Sequence, residues 1–154
     1  MKHTIRTATA ADQQATLALL PELSDFDVPD YRNPDHTWQG DAKLLKQFFN
    51  DQAPDTHALV YEDAESEIQG ISIYTMRSEL LSGELSAHLE VLVVNGNARR
   101  QGIGKKLIEA TEHGAKTLGA TSLTLHVFAN NKRARSLYQA CEFKEELLRC
   151  YKPL

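Results

Sequence analysis

The chain is short of the residues that would commit it to a specialised class. Of 154 residues only two are cysteine, Cys141 and Cys150. They form no CxxC pair and have no histidine cluster beside them, which excludes a cysteine-built zinc site and a disulfide-stapled scaffold. We read them as two reduced structural thiols. A lone disulfide would require the last strands to bring them together, and a catalytic thiol would require a base that the sequence does not identify. No run approaches the ~20 apolar residues of a membrane span. The polar start MKHTIRTATAAD lacks the apolar core of a signal peptide, so a soluble, cytoplasmic chain without a membrane partner is expected. Positive charge is also scarce: 17 Lys and Arg stand against 21 Asp and Glu, for a net charge of -4. That balance argues against a broad nucleic-acid surface. Internal repeats and low-complexity linkers are absent.

What remains is an ordinary globular composition. With 42% hydrophobic residues, the chain can bury a core as one compact domain over residues 1–154. His3–Thr9 alternates as a first strand. Asp12–Leu20 reads as an amphipathic helix with Ala15, Leu19 and Leu20 inward, stopped by Pro21. Residues 22–40, rich in Pro, Asp and Asn, read as a loop with a helical turn. Asp41 is placed to cap a second helix carrying Leu44, Leu45, Phe48 and Phe49, ending near Pro54. The β-rich runs His57–Glu62 and Ile68–Met76, separated by the acidic turn Asp63–Glu67, predict a hairpin. Glu84–Val94 is a fourth strand and Gly102–Leu118 a long helix, with Gly119 at its C′ position. Ser122–Phe128 reads as a buried strand, Lys132–Ala140 as a helix, and Phe143–Lys152 as one or two short strands. This order gives an α+β fold with a mixed, mainly antiparallel sheet.

The most informative stretch is LEVLVVNGNARRQGIGKKL, residues 89–107, in which an apolar strand runs through a polar turn into a helix. Free amides in a helix's first turn and the positive end of its dipole favour a phosphate there. Gly102 and Gly104 let such a group approach the main chain closely. Two better-known phosphate loops do not fit. A Walker A loop needs four residues between its glycines and a Ser or Thr after Gly-Lys, whereas five residues separate Gly96 from Gly102 and Lys106 follows Lys105. The dinucleotide fingerprint needs a third glycine where Leu107 stands. Basic residues gather at 99–106 and 132–135. For Lys106, Lys132 and Arg133 a solvated helix face is the reading; for Arg99, Arg100 and Lys105 the glycine turn points to phosphate contact.

The order Arg99-x-x-Gly102-x-Gly104 after Glu90-x-Leu92-Val93-Val94 resembles the acetyl-CoA loop of the GNAT superfamily of N-acetyltransferases. A second block agrees with it: Asn131, Ala134, Leu137 and Tyr138 match the family's Asn-x-x-Ala-x-x-Leu/Phe-Tyr helix, at the usual distance from Gly102. The blocks cover roughly residues 84–143. The resemblance implies a GNAT-like three-layer α/β/α arrangement, with helices flanking the sheet and strands four and five splayed to admit acetyl-CoA. It further implies that the pantetheine arm pairs with exposed backbone at Leu92, Val93 and Val94. The diphosphate would then rest on Arg99, Arg100, Gln101, Gly102, Ile103, Gly104 and Lys105. Asn131 either bonds the pantetheine arm or simply caps the last helix. No metal is implied, and a homodimer is compatible with the family's habits. One departure stands out: where the family has Gly before Phe143, this chain has Glu142, which costs about 1 kcal/mol if that residue must be left-handed.

Acyl transfer to an amine needs the amine deprotonated and the leaving thiolate protonated or hydrogen-bonded. Glu90, twelve residues before Gly102, matches the position of the carboxylate that serves as base in several family members. Its other reading is a structural residue on the polar face of the strand, and His88 is a second candidate on the same face. Tyr138 matches the tyrosine aimed at the thioester sulfur; otherwise it is a half-buried packing aromatic. Glu22, Asp25, Asp27, Asp30, Asp35 and Asp41 outnumber Arg32 in the first loop. They form either a rim that attracts a cationic amine or a solvated loop, with Tyr31 and Trp38 lining or anchoring it. The expected activity is acetyl transfer from acetyl-CoA to a primary amine of a small molecule or peptide. The alternatives are a non-catalytic acyl-CoA-binding or sensing domain and an interaction domain that has lost the ligand, against which the intact loop argues.

Overall fold

The computed structural model describes residues 2–154. A five-stranded sheet runs β1 (Thr4–Thr7), β2 (Thr56–Glu62), β3 (Ile68–Ser78), β4 (Leu85–Val94), β5 (Leu123–Leu125), in that spatial order. All neighbours are antiparallel except β4 and β5, which pair in parallel. The helices are α1 (Gln13–Leu19), α2 (Gln39–Phe49), α3 (Ile103–Thr117) and α4 (Lys132–Ala140). The mixed, mainly antiparallel sheet with flanking helices is the architecture expected from the sequence.

Strand alternation sorts the apolar residues to two faces. Ile71, Ile73, Val91 and Val93 pack with Leu19, Leu20 and Leu45 under α1 and α2. On the other face Ile103 and Leu107 of α3 meet Tyr61, while Ala115 meets Tyr74 and Ala87. The hydroxyls of Ser72 and Thr111, both fully buried, satisfy one another at 2.9 Å between β3 and α3.

Several boundaries differ from expectation. Helix α2 begins at Gln39 with Trp38 at the cap, so Asp41 is not the cap but a first-turn residue. A 3-10 turn over Leu20–Ser24 takes Pro21 into its own first turn, where the missing N–H costs nothing. Strand β5 is three residues rather than seven, because its parallel pairing with β4 stops at Leu89–Leu125. Its residues are half-buried rather than buried. Residues 143–152 form no strand. They have only the short β5 to join and expose Leu147 and Leu148 to solvent. The tail is fastened instead by side chains, through a two-pronged pair from Arg135 to Glu145 at 2.7 and 2.9 Å and through Tyr151 stacked on Tyr31. Both cysteines are free.

Candidate active site

The sheet opens at one residue. Ile73 pairs with Val91 and the next residue, Tyr74, pairs with Leu89, so Glu90 is the extra, unpaired member of a β-bulge. Pairing with β5 also ends at Leu89, and β4 runs on to Val94 with no strand on that side among the described residues. Leu92, Val93 and Val94 therefore lie on a stretch whose outward amides and carbonyls have no ladder partner on β5, the sort of edge an amide-bearing chain can join.

Beyond Val94 the chain turns into α3 through a loop with two left-handed residues, Arg100 at φ +64° and Gly102 at φ +76°. Left-handed residues interleaved with ordinary ones turn successive N–H groups to one side and make an anion-binding concavity. Gly102 is the N-cap of α3, and a Cβ built on it meets no atom within 4 Å, so the space over the loop is open. Gly104 matters for packing instead, since its missing Cβ lets Leu137 of α4 come within 3.0 Å of where that carbon would lie. This contact holds α4, the helix that carries Tyr138, against the start of α3. Ile103 is a core residue, leaving its backbone alone to face the loop. Lys105 is exposed, with Glu109 at 4.0 Å, and neither Arg100 nor Gln101 is buried.

Arg99 is placed differently from the expectation of a free phosphate ligand. Its guanidinium holds Glu22 at 2.8 Å and pairs with Asp25, while Nε donates to the carbonyl of Val94 at 3.4 Å. Arg133, expected to be merely solvated, donates to the carbonyl of Asp25 at 3.0 Å. The segment after α1 is thus tied to both the α3 loop and the start of α4. Asn131 accepts from the amide of Ala134 at 3.3 Å, which is the capping role.

Tyr138 is fixed by the end of its own helix. Phe143 N–H donates to the Tyr138 carbonyl and Glu142 N–H to that of Gln139, each at 3.0 Å. The two rings, Tyr138 and Phe143, meet edge to face at 5.7 Å. This is a Schellman closure with its apolar clasp, and Glu142 is its left-handed residue at φ +67°. Burial, with a smaller push from Cys141, raises the Tyr138 hydroxyl to about 12, so it stays protonated and can donate.

The face of β4 under α2 changes character at the bulge. Above it stand Val91 and Val93; below it stand polar groups. Arg77 of β3 approaches Glu90 at 3.8 Å. His88 is 4% exposed and holds the Thr124 hydroxyl through Nδ1 at 2.7 Å, with His126 beside it at 4.8 Å between ring centres. Burial foremost, then the charges of Arg77 and His126, lowers His88 to about 4, leaving a neutral ring at physiological pH. From the opposite side comes Asp41, one turn before the fully buried Leu45 and on the same face of α2. Burial and the nearby charge of Glu90 push its carboxyl up to about 7, and among the described residues it has no ion-pair or hydrogen-bond partner. The sequence reading had Asp41 among the acids of a rim that attracts a cationic amine or of a solvated loop, but it missed that Asp41 stands beside Glu90, and it missed Arg77 altogether. The available signal was the i, i+4 spacing of Asp41 and Leu45, which puts an acid on an apolar stripe. Among the described residues, no group of three His, Cys, Asp or Glu could hold a metal ion, and no helix is long and apolar enough to cross a membrane.

Comparison with known proteins finds relatives of the same fold. A solved structure of a putative acetyl transferase from Pyrococcus furiosus superposes with a TM-score of 0.79 at 21% identity, covering 99% of this chain and 100% of that one. AAC(6')-Iy, solved in complex with a bisubstrate analogue of CoA and acetylneamine, gives 0.76 at 18% identity over 100% and 99%. An aminoglycoside N(6')-acetyltransferase type 1 of Klebsiella aerogenes is 36% identical over 104 residues, 66% of this chain. That match spans 63% of the relative's own length. The family model described as "Acetyltransferase (GNAT) family" matches residues 20–143, most of the chain and every element from the turn after α1 to the clasp of α4. The chain belongs to the GNAT acetyltransferase family.

Proposed function

We propose that this protein transfers an acetyl group from acetyl-CoA to a primary amine of a small molecule or peptide by direct attack. Acetyl-CoA supplies the activated thioester. The residues present suit such a ligand: the unpaired edge at Leu92–Val94 offers donors and acceptors to an amide-bearing arm, and the open loop at 100–104 offers amides to a diphosphate. Arg99 serves by holding that loop to Glu22 and Asp25 rather than by touching phosphate.

The observation that carries the reading is the coincidence at Glu90. It is the bulged residue, it marks where β4 leaves β5, and its charge reaches Asp41, a carboxyl that, unlike Glu90 with Arg77, has no ion-pair partner among the described residues. An acceptor's ammonium would supply positive charge between the two. Glu90, directly or through water, takes the ammonium's proton, and the neutral amine then attacks the acetyl carbonyl. Tyr138, with its hydroxyl kept protonated, donates to the departing thiolate. Arg77 and neutral His88 hold the carboxylate and the strand in position.

The test is thiol release from acetyl-CoA with a panel of aminoglycosides, polyamines, amino acids and peptides. Aminoglycosides stand first in it because of the Klebsiella aerogenes relative. Release with at least one amine is expected; CoA binding without release from any of them would replace catalysis by a sensing role. With an identified amine, Glu90→Gln should lose turnover most at low pH and regain part of it as pH rises, because more of the amine arrives already neutral. Superimposable pH profiles for the two enzymes would remove Glu90 as the base.

A further inference from the structure

Five of the eight arginines are engaged by acids. Arg6 holds Asp12 and Glu62, Arg77 approaches Glu90, Arg99 holds Glu22 and Asp25, Arg133 approaches Asp25, and Arg135 holds Glu145. Besides Arg100 of the α3 loop, Arg32 and Arg149 have no carboxylate partner among the described residues, although Asp27, Asp30 and Asp35 lie close to Arg32 in the chain. Arg32 and Arg149 line one cavity of about 160 Å³, together with Asn33, His36, Thr37 and Phe128. It lies between the loop before α2 and the C-terminal tail, and its lining includes none of Glu90, Asp41 and the α3 loop.

The guanidinium of Arg32 is held by aromatic rings. It lies 3.8 Å from the ring centre of Tyr151 and 5.7 Å from that of Tyr31, and these two rings stack at 5.5 Å. The stacking fixes the plane of the guanidinium without using its N–H groups. Its Nε is shut off from solvent and has no hydrogen-bond partner among the described residues. A buried donor left without a partner is costly. Two guanidinium groups on one cavity repel each other, and an anion between them would relieve that repulsion. In a chain of net charge -4 with acids close at hand, an arginine kept planar, partly buried and unpaired has the form of a receptor. A guanidinium offers parallel N–H groups that match the oxygens of a carboxylate or phosphate. At a liquid water's share of about 30 Å³, the cavity has room for such a group with a few waters.

We propose that this cavity is an anion-binding site that takes a carboxylate or phosphate group through the guanidinium groups of Arg32 and Arg149. Two molecules can bring that group: an acceptor that carries an acid besides its amine, or coenzyme A through one of its phosphates. The site goes beyond the acetyl-transfer reading, and its first test needs no turnover.

Trp38 is the sole tryptophan and directly follows Thr37 of the lining, so its indole N–H resonance reports on the cavity. Titration with inorganic phosphate, and separately with acetate, should shift that resonance saturably for at least one ion. Arg32→Gln and the more exposed Arg149→Gln should each weaken the response about tenfold, the loss expected for one charge-assisted contact, with melting temperatures unchanged for Arg149→Gln. No saturable shift with either ion, or an affinity in both variants undiminished from that of the wild type, would overturn the site. The source is then read from two ratios. If Arg32→Gln abolishes a preference for coenzyme A over its 3′-dephospho form, the group is the nucleotide's. If it abolishes a KM advantage of an amino acid over its amide, the group is the acceptor's. Both preferences surviving intact would overturn a role for the site in the reaction.

Discussion

At Glu142 one side chain sits where the backbone favours none. The residue closes α4 at φ +67°, and the two closing hydrogen bonds and the Tyr138–Phe143 contact all depend on that left-handed turn. A side chain there costs about 1 kcal/mol relative to glycine. Glu142→Gly should therefore raise stability by about that amount, or a melting temperature by a few degrees, with turnover unchanged; calorimetry checks it, and an unaltered midpoint would mean the turn is not strained. This strain was readable in the sequence, because the neighbouring motif fixes which residue follows the helix. Arg99 shows the opposite case. Its motif position was plain, but its partners Glu22 and Asp25 lie 77 and 74 residues earlier. No local pattern announces an ion pair of that span.

Helix α2 carries its anomaly as an element. Its buried stripe holds Leu45 and partly buried Trp38, Ala42, Phe48 and Phe49, and Asp41 stands on that side one turn before Leu45. The Asp41 carboxyl, ordinarily near 3.8, is raised to about 7. Between those pH values the unfolded chain has released a proton that the folded chain still holds, so stability falls as pH rises through the window. Asp41→Asn should thus stabilise the fold at pH 8 by on the order of 1 kcal/mol and leave it unchanged at pH 3, while raising KM for the amine. Denaturant midpoints at the two pH values test this; an equal effect at both would deny that the carboxyl is confined beside Glu90. Elements themselves were legible where periodicity is long: α3 and α4 lie within a residue of their expected bounds. The short strands were not. Seven residues from Ser122 have β-character, yet parallel pairing lasts only as long as β4 stays alongside, and a bulge on another strand decides that.

For the whole molecule, one network joins the first strand to the rest. Arg6 of β1 reaches Asp12, before α1, at 2.7 and 3.0 Å and Glu62 of β2 at 2.6 Å. Asp12 is 5% exposed and also accepts from the Thr9 amide. The hydrogen bonds from Arg6, outweighing the cost of burial, hold the Asp12 carboxyl down at about 2. A lowered carboxyl adds stability that is fully present above its ordinary value of 3.8 and is lost as pH falls toward 2. Acid titration should accordingly cost about 2 kcal/mol between pH 5 and pH 2 through this residue, and Asp12→Asn should flatten that part of the profile. A variant profile as steep as that of the wild type would place the acid sensitivity elsewhere.

The bulge at Glu90 also bears on how this gene can vary. Ile73 opposes Val91 and the next residue, Tyr74, opposes Leu89, so the two halves of β4 already alternate correctly around the extra residue. Removing Glu90 would leave a regular strand with every other side chain still on its own face. The bulge is thus a surplus residue that the sheet itself does not require. A descendant that lost this one codon should keep a folded sheet while losing the carboxylate, so a line that abandoned the reaction could shorten β4 at position 90 at little cost to its fold.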